Sequence, residues 1–141
     1  MKRHEALAPL SREHHDALIL AQLLKKNAPV YKGLPQLPKD KAVYATNFYH
    51  SNLQKHFKQE EQMLHKVKQY NSKIEEITPE IIYEHEQLTQ LFISLDKTAD
   101  LQTTMDTLGK ALEAHVRKEE RILFPLIQEH CPAEILNSIE L

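Results

Sequence analysis

Apolar residues recur along this chain at alternating steps of three and four, the spacing that lines one face of a helix packed in a bundle. Four stretches carry the pattern. The first predicts a helix from about Ser11 to Lys26, with Ser11 as its N-cap. The second runs from about Asp40 to Tyr70. The third opens at Thr78-Pro79, a capping residue followed by proline at the first helical position, and continues to about Lys97. The fourth runs from about Asp100 to His130, and Pro125 inside it should kink or locally break it. Between the first two lies NAPVYKGLPQLPKD, the longest clear loop. The tail PAEILNSIEL has room for a short closing helix. Length and pattern together predict an all-α fold, one domain over residues 1–141.

The seams are interrupted at particular places. In the fourth helix the inward positions are Leu101, Met105, Leu108, Leu112, His115, Glu119, Ile122 and Leu126. In the second they are Tyr49, Leu53, His56, Glu60, Met63 and Val67, and in the third Ile81, His85, Leu88, Phe92 and Leu95. The first helix offers two registers. One runs Leu10, His14, Ala17, Ala21, Leu24; its rival runs Ser11, His15, Leu18, Gln22. The His14 register is the more apolar and matches the third helix step for step, so His14 is favoured over His15. The chain thus repeats a helical hairpin, in which one helix carries an inward His and the next an inward His-x-x-x-Glu.

That repeat explains why HFKQEEQML at 56–64 and HVRKEERIL at 115–123 are spelled alike. Burying His14, His56, Glu60, His85, His115 and Glu119 in a helical core is costly unless something compensates, and a bound cation compensates well. Residues four apart share a helix face, so His and Glu at that spacing reach one metal or two adjacent metals. Two equivalent halves predict two ions, each held by two His, with Glu60 and Glu119 bridging. Imidazole with carboxylate suits Fe, Mn or Zn better than Mg or Ca. Six ligands leave positions for solvent, an oxo or hydroxo bridge, or a small diatomic molecule. Other templates fail: no His has a Glu three residues before it, and His85-Glu86 is followed by Thr89 where a zinc-protease helix needs a second His.

Composition narrows the picture further. The net charge is −2 with no long basic tract, which argues against nucleic acid as a partner. Lys55, Lys58, Lys66, Lys68 and Lys73 read as a solvated outer face. Cys131 is the only cysteine, and the chain shows neither an apolar signal core nor a membrane-spanning run. The expectation is a soluble cytoplasmic protein with no membrane partner. Of the nine His, His4, His50, His65 and His130 fall off the seams and read as surface residues. Glu61 and Glu120 sit one position off the seams, placed for solvent or for a hydrogen bond to a ligand. Tyr49 reads as packing that can also line a pocket, and Phe48, Phe57, Phe92 and Phe124 read as core.

The stretches LSREHHDAL, HFKQEEQML, YEHEQL and HVRKEERILFPLI, with the spacing between them, resemble the hemerythrin-like family, the HHE cation-binding domain. The resemblance covers nearly the whole chain. It implies an antiparallel up-down four-helix bundle holding a non-haem di-iron centre with a bridging oxo or hydroxo group. His14, His56, His85 and His115 would be iron ligands, and Glu60 and Glu119 would bridge. The oxygen carriers of the family use a fifth His one turn after the His of the third helix, where this chain has Thr89. Their last carboxylate lies five residues after the preceding His, which here is Glu120, whereas the seam favours Glu119. With four His the chain is more similar to bacterial relatives that respond to oxygen or nitric oxide. The implied function is binding or sensing of oxygen, nitric oxide or peroxide. Enzymatic reduction of peroxide or nitric oxide, and iron donation for iron–sulfur cluster repair, are the alternatives.

Overall fold

The computed structural model describes residues 2–141, all helical or loop, with no strand among the described residues. Helix α1 spans Ala8–Leu24, α2 Pro38–Phe48, α3 Gln54–Val67, α4 Ser72–Ser94, α5 Leu101–Lys118, α6 Phe124–His130 and α7 Ala133–Asn137. A π-helical turn, Tyr49–Leu53, links α2 to α3, and a second, Glu119–Leu123, links α5 to α6. The four stretches read from the sequence are therefore present as long helical runs, and the closing helix is α7.

Two boundaries differ from expectation. Ser11 does not cap α1: the helix starts at Ala8, with Pro9 in its first turn where a missing N–H costs nothing, and Ser11 turns its hydroxyl sideways to Glu120. Nor does Thr78-Pro79 open the third long helix. Asn71 caps α4 by accepting from the N–H groups of Lys73 and Ile74, so Pro79 lies inside the helix and Thr78 bonds the Ile74 carbonyl. Asp100 does mark the start of α5, accepting from the Thr103 N–H.

The break expected at Pro125 is spread over the π turn just before it. A π turn takes more residues per revolution than an α turn, so it shifts the inward register by one. Ile122 is consequently 49% exposed and Leu126 only partly buried, while Leu123, Phe124 and Ile127 are fully covered. Leu101, at the other end of that seam, is also only partly buried. The remaining seam positions are buried as read.

Two apolar clusters fill the interior. One gathers Ala17, Leu24, Tyr49, Leu53, Phe57, Leu88, Phe92, Met105 and Leu112 with their neighbours. The other gathers Leu7, Leu10, Met63, Leu64, Ile74, Ile81, Leu123, Phe124 and Ile127 with theirs. Along α1 and α4 the chain leaves the second cluster and enters the first; along α3 and the α5–α6 run it does the reverse. Every polar seam residue lies at the crossing between the clusters. Helices α1 and α5 pack tightly at Gly109, where a Cβ would stand 2.6 Å from the Ala21 carbonyl oxygen.

Candidate metal centre

Between the two apolar clusters lie His14, His56, Glu60, His85, His115 and Glu119, none more than 3% exposed. His14 is brought in by α1, His56 and Glu60 by α3, His85 by α4, His115 by α5 and Glu119 by the start of the second π turn. The pairs left open by the sequence differ in burial. His14 is buried and His15 is exposed; Glu119 is fully buried, and Glu120 is pushed outward, only partly covered.

The six form two overlapping groups whose donor atoms lie within 4.8 Å of one another: His14, His56, Glu60 and Glu119, and then Glu60, His85, His115 and Glu119. Both carboxylates belong to both groups. Glu60 sets Oε2 3.2 Å from His14 Nε2 and 3.0 Å from His56 Nε2, with Oε1 2.9 Å from His85 Nε2. Glu119 Oε1 stands 3.1 Å from His14 Nε2 and from His115 Nε2.

Every inward imidazole uses its other nitrogen on a carboxylate from a neighbouring helix. His56 Nδ1 lies 2.9 Å from Glu13, His85 Nδ1 2.7 Å from Glu61, His115 Nδ1 2.7 Å from Glu84 and His14 Nδ1 2.6 Å from Glu120. These four contacts close a ring through α1, α3, α4, the α5–α6 run and back to α1. Of the four acids, Glu61 and Glu120 were read as solvated or hydrogen-bonded to a ligand, and it is the hydrogen bond that forms. Glu13 and Glu84 were missed as partners. Their only signal is a Glu immediately before an inward His in each half of the repeat, yet each bonds the His of the next helix. Two of the acids are tied down in turn: Glu120 by Ser11 and Arg3, and Glu84 by Lys118.

The chemistry of this donor set fits a cation. A carboxylate accepting from Nδ1–H fixes the imidazole tautomer and leaves the Nε2 lone pair facing inward. His56 Nε2, His115 Nε2 and both oxygens of Glu119 are buried without a hydrogen-bonding partner among the described residues. They lie near opposite charge, but not in hydrogen-bond geometry, as ligand atoms aimed at a shared point would.

The electrostatics agree. Burial alone would depress the His14 imidazole, but Glu119, Glu120 and Glu60 outweigh it and push its pKa up to about 12. His56 is raised to about 9 in the same way, with burial opposed by the Glu60 charge and the Glu13 bond. His115 is raised to about 10 against burial by Glu119 and Glu84. Burial would raise Glu60, but the His56 charge and the bonds to His14 and His85 hold it well below the usual carboxylate range. The carboxylates therefore draw positive charge into the core, and without a metal they take it as protons on imidazole.

Tyr49 donates a hydrogen bond to Thr89, 3.2 Å away, and stacks on Phe92. Phe57 stacks on His85 at 4.2 Å and Phe124 on His14 at 5.5 Å, while Phe48 packs partly buried against the core. His50, His65 and His130 are exposed as expected; His4 is half-buried, its Nδ1 accepting from the Ala6 N–H. Cys131 is a free, buried thiol.

A helical bundle with paired, buried His and Glu groups at its centre defines the class: a domain equipped to bind metal ions. The chain belongs to the hemerythrin HHE cation-binding domain family, whose model matches residues 4–127, nearly all of it. No curated protein and no solved structure matches it significantly. Among the described residues no helix is long and apolar enough to cross a membrane.

Proposed function

We propose that this domain is a non-haem di-iron protein that binds or senses oxygen, nitric oxide or peroxide. One observation carries the reading: Glu60 and Glu119 belong to both four-residue groups, so two ions would share them while each takes two His. His14 and His56 would hold one ion, and His85 and His115 the other. Iron bound there would supply redox-active positions for small ligands; Zn or Mn fits the same donors. The chain's own part is to hold the ring nitrogens inward through the four outer acids and to exclude bulk water with the apolar cluster at each side. With all six residues so nearly covered, only a molecule of diatomic or peroxide size fits the reading. The reversal of cluster order at each successive long helix supports an antiparallel up-down bundle.

Thr89 favours one second reading. It places a hydroxyl, not an imidazole, one turn after His85, and so leaves that half of the centre with fewer protein ligands for catalytic reduction of peroxide or nitric oxide. Metal analysis of protein produced with iron, together with its optical spectrum in air, tests the proposal. About two irons per chain with oxo-bridged ferric absorption is the expected result. A folded protein that takes up no metal would refute it, and steady turnover of peroxide would move the assignment to the second reading.

A further inference from the structure

The hollows over the centre differ in how near they come to an inward histidine. The hollow lined by Pro9, Glu13 and Asp16 stops at Glu13, and the one lined by Tyr83 and Lys118 stops at Glu84. Each is one hydrogen bond short of an imidazole. A groove of about 330 Å³ goes further: its walls include Tyr49, Phe57, Glu61, His85 and Thr89, so it reaches an inward histidine directly.

The wall chemistry of this groove is specific. Phe57 lies nearly parallel to the His85 ring, with an interplanar angle of 14°, and forms an apolar side. Thr89 supplies the polar side. The hydroxyls of Thr46 and Thr78 bond the carbonyl four residues back, as a helical threonine usually does. Thr89 behaves differently: its oxygen accepts from the Tyr49 phenol, and its own proton meets no protein acceptor among the described residues. Tyr49 is 5% exposed and pinned by its stacking on Phe92, so it holds that hydroxyl in place. On the other half, Phe124 stacks on His14 and the Arg3 guanidinium covers Phe124, 5.4 Å from the ring centre.

We propose that small polar ligands reach the centre through the groove over Phe57, His85 and Thr89, that the half built from His85 and His115 accepts them, and that the Thr89 hydroxyl, positioned by Tyr49, donates a hydrogen bond to the ligand. This inference rests on the two-metal reading above. Thr89 and Tyr49 are positioning residues: they select and hold a ligand with an acceptor atom, and they hold no metal.

Azide binding to the iron-loaded protein, followed optically alongside iron content per chain, tests it. Thr89→Phe fills the groove and should slow azide association at least tenfold with iron content unchanged. Thr89→Val keeps the size but removes the donor; it should weaken azide affinity about tenfold, the worth of one hydrogen bond to a charged group, with little change in association rate. Tyr49→Phe should weaken it less, in the same direction. Asp16→Phe, which fills the hollow that ends at Glu13, should change nothing. Wild-type rate and affinity in Thr89→Phe and Thr89→Val at full iron content would overturn the inference, as would slowing by Asp16→Phe. If Thr89→Phe loses iron, the Thr89→Val affinity decides alone. Absence of iron from the unmodified protein is a separate result, which overturns the two-metal reading and this one with it.

Discussion

Replacing Glu60 with glutamine removes one negative charge from the point where three histidines meet. The side chain is fully buried, and its two oxygens lie 2.9–3.2 Å from the Nε2 atoms of His85, His56 and His14. In the metal-free protein His14 and His56 lose a carboxylate that holds their positive charge in the core. Breaking a buried ion pair from one side costs roughly 3–5 kcal/mol. At roughly 2–4 °C per kcal/mol for a chain of this size, the melting temperature should fall by on the order of 10 °C. Because Glu60 is common to both ligand groups, metal content should drop for both ions together, well below two per chain. The assay is thermal unfolding of chelator-treated protein, paired with metal analysis of iron-loaded protein. Glu76→Gln is the control. It neutralises an exposed carboxylate away from the centre, so it should change stability by less than about 0.5 kcal/mol and leave metal content intact. A Glu60→Gln protein that keeps two metals per chain and melts within 2 °C or so of the unmodified one would refute the reasoning, because no buried charge would then depend on Glu60.

Four further outcomes follow from the structure. In the metal-free protein the raised pKa values of His14, His56 and His115 contribute stability that is fully present below the ordinary histidine value of 6.5. That stability is lost as pH rises through about 9 and 10, so melting temperature should fall over this range; a flat or rising profile would contradict the assignment. Iron binding should show the opposite trend, tightening as pH rises, because the metal displaces those protons. Neutralising an outer acid, as in Glu84→Gln or Glu13→Gln, should weaken metal retention about 10–100-fold in chelator competition, while His65→Ala should leave it unchanged. Gly109→Ala gains about 1 kcal/mol in helix propensity but drives a Cβ to 2.6 Å from the Ala21 carbonyl. Overpacking costs about 1–3 kcal/mol, so a net loss near 1 kcal/mol and a lower melting temperature are expected from calorimetry.

The parts of the fold legible in the sequence were those set by repeated spacing. His56 and Glu60 announced themselves because each stands where Leu53 and Met63 require an apolar neighbour, and the same logic chose His14 over His15. The parts that were not legible depend on events the spacing does not record. Asn71 captures α4 about two turns before Thr78 because a cap needs only a local oxygen, and several candidates compete for the role. The π turn at Glu119 moves Leu123 inward in place of Ile122, and an extra residue in one turn leaves no mark on composition. Glu13 and Glu84 look like solvated residues beside a histidine. Their real partners, His56 and His115, sit on other helices, and only the packed bundle brings them together.

The closed ring of outer acids also fixes how the helices may slide. Each long helical run gives one carboxylate to the next and takes one from the previous, so moving any one along its axis breaks two contacts at once. Advancing a helix by one residue rotates it by about 100° and shifts it by about 1.5 Å, more than such contacts survive. Axial register is thereby assigned at mid-bundle by eight polar residues, and the apolar clusters on either side need only fill space. Leucine, isoleucine and methionine should be interchangeable through those clusters as long as volume is kept, whereas the ring tolerates no such exchange.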